Sequence, residues 1–368
     1  MGDTSKLRRG TLVGFALGLA ACGGPDGGRS GQPSGPGLAS AGETGAADGD
    51  DDGGATGSAG DDAADDAADD SGGGGSVFDV GSPDTGELPE DEVGCQAVDF
   101  LFVIDNSASM ENEQDALVSV FPQFMAEVEA ALDVGGDYQV LVADTDAWGR
   151  CDSQTLQGMD PGSDLCNNYI GSTAFDNCDG ERGAGVVHPA GDFASNAACA
   201  PFGGNRYIVP GEPDLGGTFA CMATVGVAGH PSERPMDGMV AALAPQINAA
   251  GGCNDGFLRA DALLVIVFIS DDPHYEDNGE PSDWYNAVVA SKNGDPESVV
   301  VMGMTPDWPG CRDGDGDTVG VHWSEFVGLW GDNGLHGNVC GDAMEYLAFF
   351  QMAVAQIDQA CSEFMPPG

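Results

Sequence analysis

The hydrophobic pattern from about residue 95 onward predicts strands that alternate with helices. Four apolar runs are nearly continuous, which is typical of strands covered on both faces. They lie within residues 100–104, 138–147, 262–272 and 298–305. Apolar residues recurring at three- and four-residue steps predict helices at 117–132, 236–250, 282–291 and 343–361. We expect Pro122 to kink or restart the first helix. This alternation predicts an α/β fold, a doubly wound and mostly parallel sheet with helices on both faces.

The first strand, in the stretch VDFLFVIDNSASM, ends on an acid followed by two hydroxyls. Asp105 follows the apolar run, and Ser107 and Ser109 come at every second position. Asp271 follows the third strand, in LLVIVFISDD. Ligands bind outside the carboxyl ends of strands in such sheets, so neighbouring strands would bring both carboxylates together. Carboxylates with hydroxyls suit Mg²⁺, Mn²⁺ or Ca²⁺. The alternative is a helix cap at Asp105 or Ser107 with no metal.

The Asp105-x-Ser107-x-Ser109 pattern with a later strand-terminal Asp271 resembles the von Willebrand factor type A domain and its metal-ion-dependent adhesion site. The resemblance covers roughly residues 98–364. With DNGLHGNVC and the cysteine-rich loops, it resembles in particular a group of bacterial von Willebrand A lipoproteins. It implies binding of a protein or surface ligand through a divalent cation, and no catalytic residues.

The resemblance also implies a threonine ligand from the loop before the helix PMDGMVAAL. The family's spacing leads instead to Glu233, in GHPSERP. Thr218 and Thr224 lie upstream and could take this place only if the loop is longer than usual. We expect Glu233 to be the ligand or its water-mediated equivalent. A third acid would bind the metal more tightly and make it a poorer acceptor of an acidic partner.

The N-terminal segment and the number of cysteines indicate an exported protein, and the charge limits its partners. The 368 residues include 11 Lys and Arg against 61 Asp and Glu, a net charge of −50, which argues against nucleic acid as a partner. Residues 1–21 have the pattern of a signal peptide. The LAAC stretch resembles a bacterial lipobox, so we expect Cys22 to carry a lipid. The lipid would be the one membrane contact, anchoring the chain outside the cytoplasm at the outer membrane or cell surface. The alternative is a soluble secreted protein cut near AACGG.

Residues 22–93 are rich in Gly, Asp, Ala and Ser and predict a disordered acidic linker. A weak calcium-binding tract is the alternative. The domain at 94–368 is expected to contain a cysteine-rich insertion at about 148–234, at the carboxyl edge of the sheet, with a short edge strand at 206–211. Of the 11 cysteines, 10 remain after Cys22, which permits complete disulfide pairing. Zinc is the alternative, but no C-x₂-C pair occurs.

Two weaker signals concern further metal chemistry. Asp313, Asp315 and Asp317 have the spacing of a calcium loop, but Thr318 stands where such a loop needs glycine. An irregular calcium loop and an acidic surface turn both fit. The DDPHYE stretch suggests a metal-dependent hydrolase, but the sequence has no H-E-x-x-H or G-x-S-x-G. We therefore predict a binding protein rather than an enzyme, with a structural envelope lipoprotein whose metal only stabilises the fold as the alternative.

Overall fold

The computed structural model describes residues 95–131, 137–146, 176–229, 233–271, 277–306 and 321–365. The signal peptide, Cys22, the linker and the candidate calcium loop at Asp313, Asp315 and Asp317 lie outside the described residues. In the described ranges, no helix combines the length and apolarity that a bilayer crossing requires.

Five parallel strands form the sheet. They are β1 Val98–Ile104, β2 Tyr138–Asp144, β3 Leu263–Ile269, β4 Val299–Thr305 and β5 Gly334–Asn338. Their spatial order is β2-β1-β3-β4-β5, so the strand order reverses between β1 and β3. Every residue of β1, β3 and β4 is buried, which explains why these strands are almost entirely apolar. The predicted doubly wound α/β fold is confirmed.

Helices cover both faces of the sheet. They are α1 Glu111–Ala131, α2 Leu215–Ala223, α3 Pro235–Ala242, α4 Pro245–Asn248, α5 Pro281–Ser291, α6 Val321–Gly328 and α7 Ala343–Glu363. Alternate strand residues face opposite layers. Phe100 and Phe102 pack in one core with residues of α1, α2 and α7, and Leu101 and Val103 in the other with residues of α3, α5 and α6.

The structure corrects two helix predictions at prolines, the possible restart at Pro122 and the single helix at 236–250. Pro122 lies inside α1 without restarting it. The neighbouring Phe121 ring stacks on Phe219, with centroids 3.4 Å apart, so packing against α2 holds the helix across the proline. The helix predicted at 236–250 is two helices, because Pro245 cannot continue the hydrogen bonding of α3 and begins α4 instead.

Disulfides tie the domain together, as predicted. The bonded pairs in the described residues are Cys95–Cys361, Cys178–Cys253 and Cys199–Cys221, and Cys340 is also disulfide-bonded. Cys151, Cys166 and Cys311 lie outside those residues, so complete pairing stays a prediction. Cys95–Cys361 joins the start of the domain to the end of α7 across 266 residues, the kind of long loop whose closure restricts the unfolded chain most.

The described part of the cysteine-rich segment runs along the free edge of β2. Ile208 forms an isolated antiparallel bridge with Val140, through hydrogen bonds of 2.8 and 3.0 Å. The main-chain N–H of Val186 donates to the Val142 carbonyl at 2.7 Å. The edge strand expected at 206–211 is therefore reduced to a single bridge.

Candidate functional site

The register of the sheet places three oxygen-bearing side chains side by side at the carboxyl ends of its strands. Ile104 at the end of β1 pairs with Asp144 of β2 and Ile269 of β3. The next residue on each strand is Asp105, Thr145 or Ser270. All three are fully buried, and they lie where the strand order reverses. The carboxyl ends of β1, β2 and β3 thus form a polar crevice under the surface.

Asp105 is held by donors from its own loop and from β3. One carboxylate oxygen accepts the main-chain N–H of Ser107 at 2.6 Å, and the other accepts the Ser270 hydroxyl at 2.6 Å. Burial raises the pKa of Asp105 to about 7, opposed by the Ser270 hydrogen bond and increased further by the charge of Asp271. Its carboxylate therefore carries a large desolvation cost that an adjacent cation would reduce.

Asp271 meets the β1 loop from the neighbouring strand. It is 6% exposed, and its Oδ1 accepts the Ser109 hydroxyl at 2.9 Å. The Ser107 hydroxyl lies 3.5 Å from the same oxygen. The structure thus brings together Asp105, Ser107, Ser109 and Asp271, which the sequence singled out as candidate ligands.

Glu233 lies beside Asp105 in the same crevice. It is 1% exposed and forms an isolated antiparallel bridge with Asp146. Its Oε2 accepts the Thr145 hydroxyl, whereas its Oε1 is buried without a hydrogen-bond partner. Burial, and then the charges of Asp105 and Asp146, raise the pKa of Glu233 well above its ordinary value. A buried carboxylate oxygen with no donor is a feature that a bound cation would satisfy.

The two upstream threonines form local hydrogen bonds around α2. The Thr218 hydroxyl donates to Glu212 Oε1 at 3.0 Å, and the Thr224 hydroxyl donates to the Ala220 carbonyl at 2.7 Å. Glu233, and not a threonine, is the residue of this loop that the structure places against Asp105.

Sequence reasoning missed several residues that build the crevice. Ser270 and Thr145 donate to the acids, and Asn106 donates from Nδ2 to Asp146 Oδ2 at 3.2 Å. The signal that could have found Thr145 and Ser270 is their position directly after a buried strand. Gly229 donates its N–H to the Asn106 carbonyl at 3.0 Å, and a Cβ there would lie 2.0 Å from the Asn106 side chain, so any larger residue would force that side chain to move.

Helix α1 fixes the crevice from one side. Gln114 donates from Nε2 to the carbonyls of Asp105 at 3.0 Å and Gly226 at 2.9 Å, and its Oε1 accepts the Gly226 N–H. Glu113, also missed from sequence, has a buried Oε2 without a partner. Burial raises its pKa, and the charge of Asp271 adds to the effect.

The donor set fits a hard divalent cation only with help from groups other than carboxylates. In the described part of the chain, His, Cys, Asp and Glu side chains do not form a group of three or more that could hold a metal ion alone. Ligation here would need the hydroxyls of Ser107 and Ser109, or water, beside the acids. Such an all-oxygen shell suits Mg²⁺, Mn²⁺ or Ca²⁺.

Comparisons with known proteins add little to this geometry. No protein-family model matches the chain, and no curated protein matches it. Among solved structures, two crystal structures of proximal thread matrix protein 1 from the mussel byssus are similar at 11% and 12% identity, with TM-scores of 0.38 and 0.40. Each match covers 72% of this chain but 49% and 48% of the mussel chain, so the chain spans about half their length. At these values the likeness carries no argument about the site.

Proposed function

We propose that the chain is a lipid-anchored, extracytoplasmic von Willebrand A-type domain that binds a protein or surface ligand through a divalent cation. The observation that carries the proposal is the meeting of Asp105 and Asp271 at the ends of neighbouring strands, with the Ser109 hydroxyl 2.9 Å from Asp271. The anchor is supported by the sequence at Cys22 alone. No catalytic role is proposed for any residue.

Several residues of the crevice would act together as ligands of the cation. Ser107 and Ser109 would supply hydroxyl oxygens, and Asp105, Asp271 and Glu233 carboxylate oxygens, directly or through water. When bound, the cation would offer a coordination position to an oxygen atom of the partner. Ser270 and Gln114 keep Asp105 in place through its side chain and its carbonyl.

A structural role for the metal is the second candidate, and Glu233 favours it. Three carboxylates carry more negative charge than a divalent cation neutralises. Such a cation is tightly bound, yet it attracts a partner carboxylate poorly. In this case the metal would stabilise the fold, and partner binding would not depend on it.

Thermal unfolding of the full chain with and without Mg²⁺ or Mn²⁺ tests the metal site. At about 100-fold excess over the dissociation constant, the cation should add about 2.7 kcal/mol to the free energy of unfolding. Asp105→Asn should abolish most of this gain. Asp358→Asn, at an exposed position of α7, is the matched control and should keep it. A Mg²⁺ response that is unchanged in Asp105→Asn would place the metal elsewhere.

Pull-downs from envelope extract separate the two candidate functions. Adhesion through the metal predicts that a chelator and Asp105→Asn both abolish capture of the partner, whereas a structural metal predicts capture that survives both. The anchor has its own test, since Cys22→Ala should leave the membrane fraction. Retention of that variant in membranes would exclude the lipid anchor.

A further inference from the structure

A small pocket opens next to the crevice, at the first turns of α1. Its volume is about 90 Å³, and it is lined by Glu111, Gln114, Asp115, Phe193 and Thr224. Gln114 is also the residue that donates to the carbonyl of Asp105. The pocket and the crevice therefore share a wall.

Phe193 is exposed to solvent on a loop that hydrogen bonds hold in place. The residue is 61% exposed and has a φ of 59°, a left-handed conformation that bulky residues rarely adopt. Asn196 closes the loop by accepting the Gly191 N–H and donating to the Gly191 carbonyl. The Ser195 N–H donates to the carbonyl of Thr224, another pocket residue. The loop thus holds an aromatic side chain at the rim of the pocket instead of in the core.

The part of the pocket lining that belongs to α1 is acidic. Glu111 and Asp115 are exposed and lie four residues apart on α1, so their like charges repel each other. In the described ranges neither carboxylate forms an ion pair. The five Lys and Arg residues there all bond to carboxylates or carbonyls elsewhere in the domain: Arg182, Arg206, Arg234, Arg259 and Lys292.

We propose that this pocket binds a lysine or arginine side chain from a basic segment of a protein partner. The charged end would lie between the carboxylates of Glu111 and Asp115. Phe193 would contact the aliphatic stem and add a cation–π attraction. The neighbouring crevice supports the choice of a basic partner, because its three acids leave a net negative charge even beside a divalent cation. The inference itself does not require the metal.

Binding of fluorescein-labelled hexalysine to the full chain tests the pocket, in EDTA and again in Mg²⁺. About 0.15 M salt screens diffuse attraction to the acidic surface. The double variant Glu111→Gln, Asp115→Asn should bind about two- to tenfold more weakly, as expected for two exposed ion pairs. The control Glu297→Gln, Asp358→Asn removes the same charge from other exposed positions and should change affinity by less than about twofold.

Variants of Phe193 test the contact with the aromatic ring separately from the charges of Glu111 and Asp115. Phe193→Leu keeps an apolar side chain but removes the ring, and it should weaken binding about two- to fivefold. In NMR spectra, the upfield ring-current shift of the lysine ε-methylene protons should disappear in the same variant. Phe193→Gly should lose binding without lowering the melting temperature, because glycine adopts the left-handed conformation freely.

Three results would overturn the proposal. The first is equal weakening in the pocket and control double variants, which would indicate general attraction to an acidic surface. The second is unchanged affinity and an unchanged proton shift in Phe193→Leu. The third is discrimination between the double variants in Mg²⁺ but not in EDTA, which would place the hexalysine contact at the metal crevice.

Discussion

A buried acid lies at each end of β1, Asp99 near its start and Asp105 directly after it, but the charges that surround the two acids are opposite. Near its start, Asp99 is fully buried and accepts both the Nε–H and the main-chain N–H of Arg259, at 2.7 and 2.8 Å. Lys292, also buried, donates to the carbonyls of Arg259 and Ala262 and adds a second positive charge nearby. At the amino end of the strand, the protein neutralises a buried acid with its own cations.

Directly after β1, Asp105 is equally buried, but its charged neighbours among the described residues are acids. The pKa of Asp105 rises to about 7 with Asp271 adding to the effect of burial, whereas Arg259 limits the rise at Asp99 to about 6. Glu233 adds a third carboxylate to the carboxyl end. An acid that the fold leaves without a positive partner is where an external cation is most strongly favoured. The comparison therefore separates a structural ion pair from a candidate binding site.

The largest expected effect comes from breaking the internal pair. Arg259→Ala leaves Asp99 buried without its main partner and should lower the free energy of unfolding by about 3–5 kcal/mol, measured by urea denaturation. Arg182→Ala removes a more exposed arginine that pairs with Asp237 and should cost at most about 1 kcal/mol. Mg²⁺ should not rescue Arg259→Ala. A rescue would show that the two ends of the strand are not distinct.

The pH dependence of stability should differ between the acids at the two ends of β1, in protein from which a chelator has removed divalent cations. Both carboxyls have a folded-state pKa above the unfolded value, so the folded protein binds more protons and loses stability as pH rises from about 4 toward each folded pKa. Asp105→Asn should remove about 2–4 kcal/mol of this loss between pH 4 and 7. Asp99→Asn should remove a smaller part, complete by about pH 6.

Urea denaturation at a series of pH values measures this difference. Glu233 and Asp277 also have raised pKa values, so each variant should flatten the profile only in part. An identical profile in Asp105→Asn and the parent protein would mean that this carboxyl does not carry the desolvation cost assigned to it.

A smaller effect should come from the third acid of the crevice. In protein freed of metal by a chelator, Glu233→Gln removes a buried ionisable group beside two other acids and should raise the free energy of unfolding by about 1–3 kcal/mol. With Mg²⁺ present the same variant should bind the ion more weakly, as followed by calorimetry. The variant thus gains stability without metal and loses affinity for it. Destabilisation in both buffers would identify Glu233 as a simple structural residue.

Sequence patterns predicted the parts of the fold that depend on local periodicity. The buried strands β1, β3 and β4 were visible because both of their faces are covered, so apolar residues fill nearly every position, apart from Asp99 and Thr305. Strand β5 was missed because its sequence, GLHGN, is half-exposed at the sheet edge and contains no apolar run. Helix α2 was missed within a glycine-rich segment, where composition favoured a loop.

The candidate site was predictable only for residues that a single stretch of sequence identifies. Asp105 and Asp271 each follow an apolar run, so the sequence alone indicates them. The partners Thr145 and Ser270 depend on which strands are neighbours and in what register, and that information is held in the pairing of β1 with β2 and β3. Their positions directly after buried strands mark them as candidates, but no spacing along the chain shows that they meet the acids.

The bond between Cys95 and Cys361 also sets the path of mechanical load through the domain. A pull on the segment that enters at Cys95 would otherwise draw β1 out from between β2 and β3, shearing its hydrogen bonds to both strands. The bond instead passes the force to the end of α7, whose buried side chains Phe350 and Ile357 belong to the core on one face of the sheet. Strand β1, and with it the geometry around Asp105, is thereby shielded from tension applied at the N-terminal side.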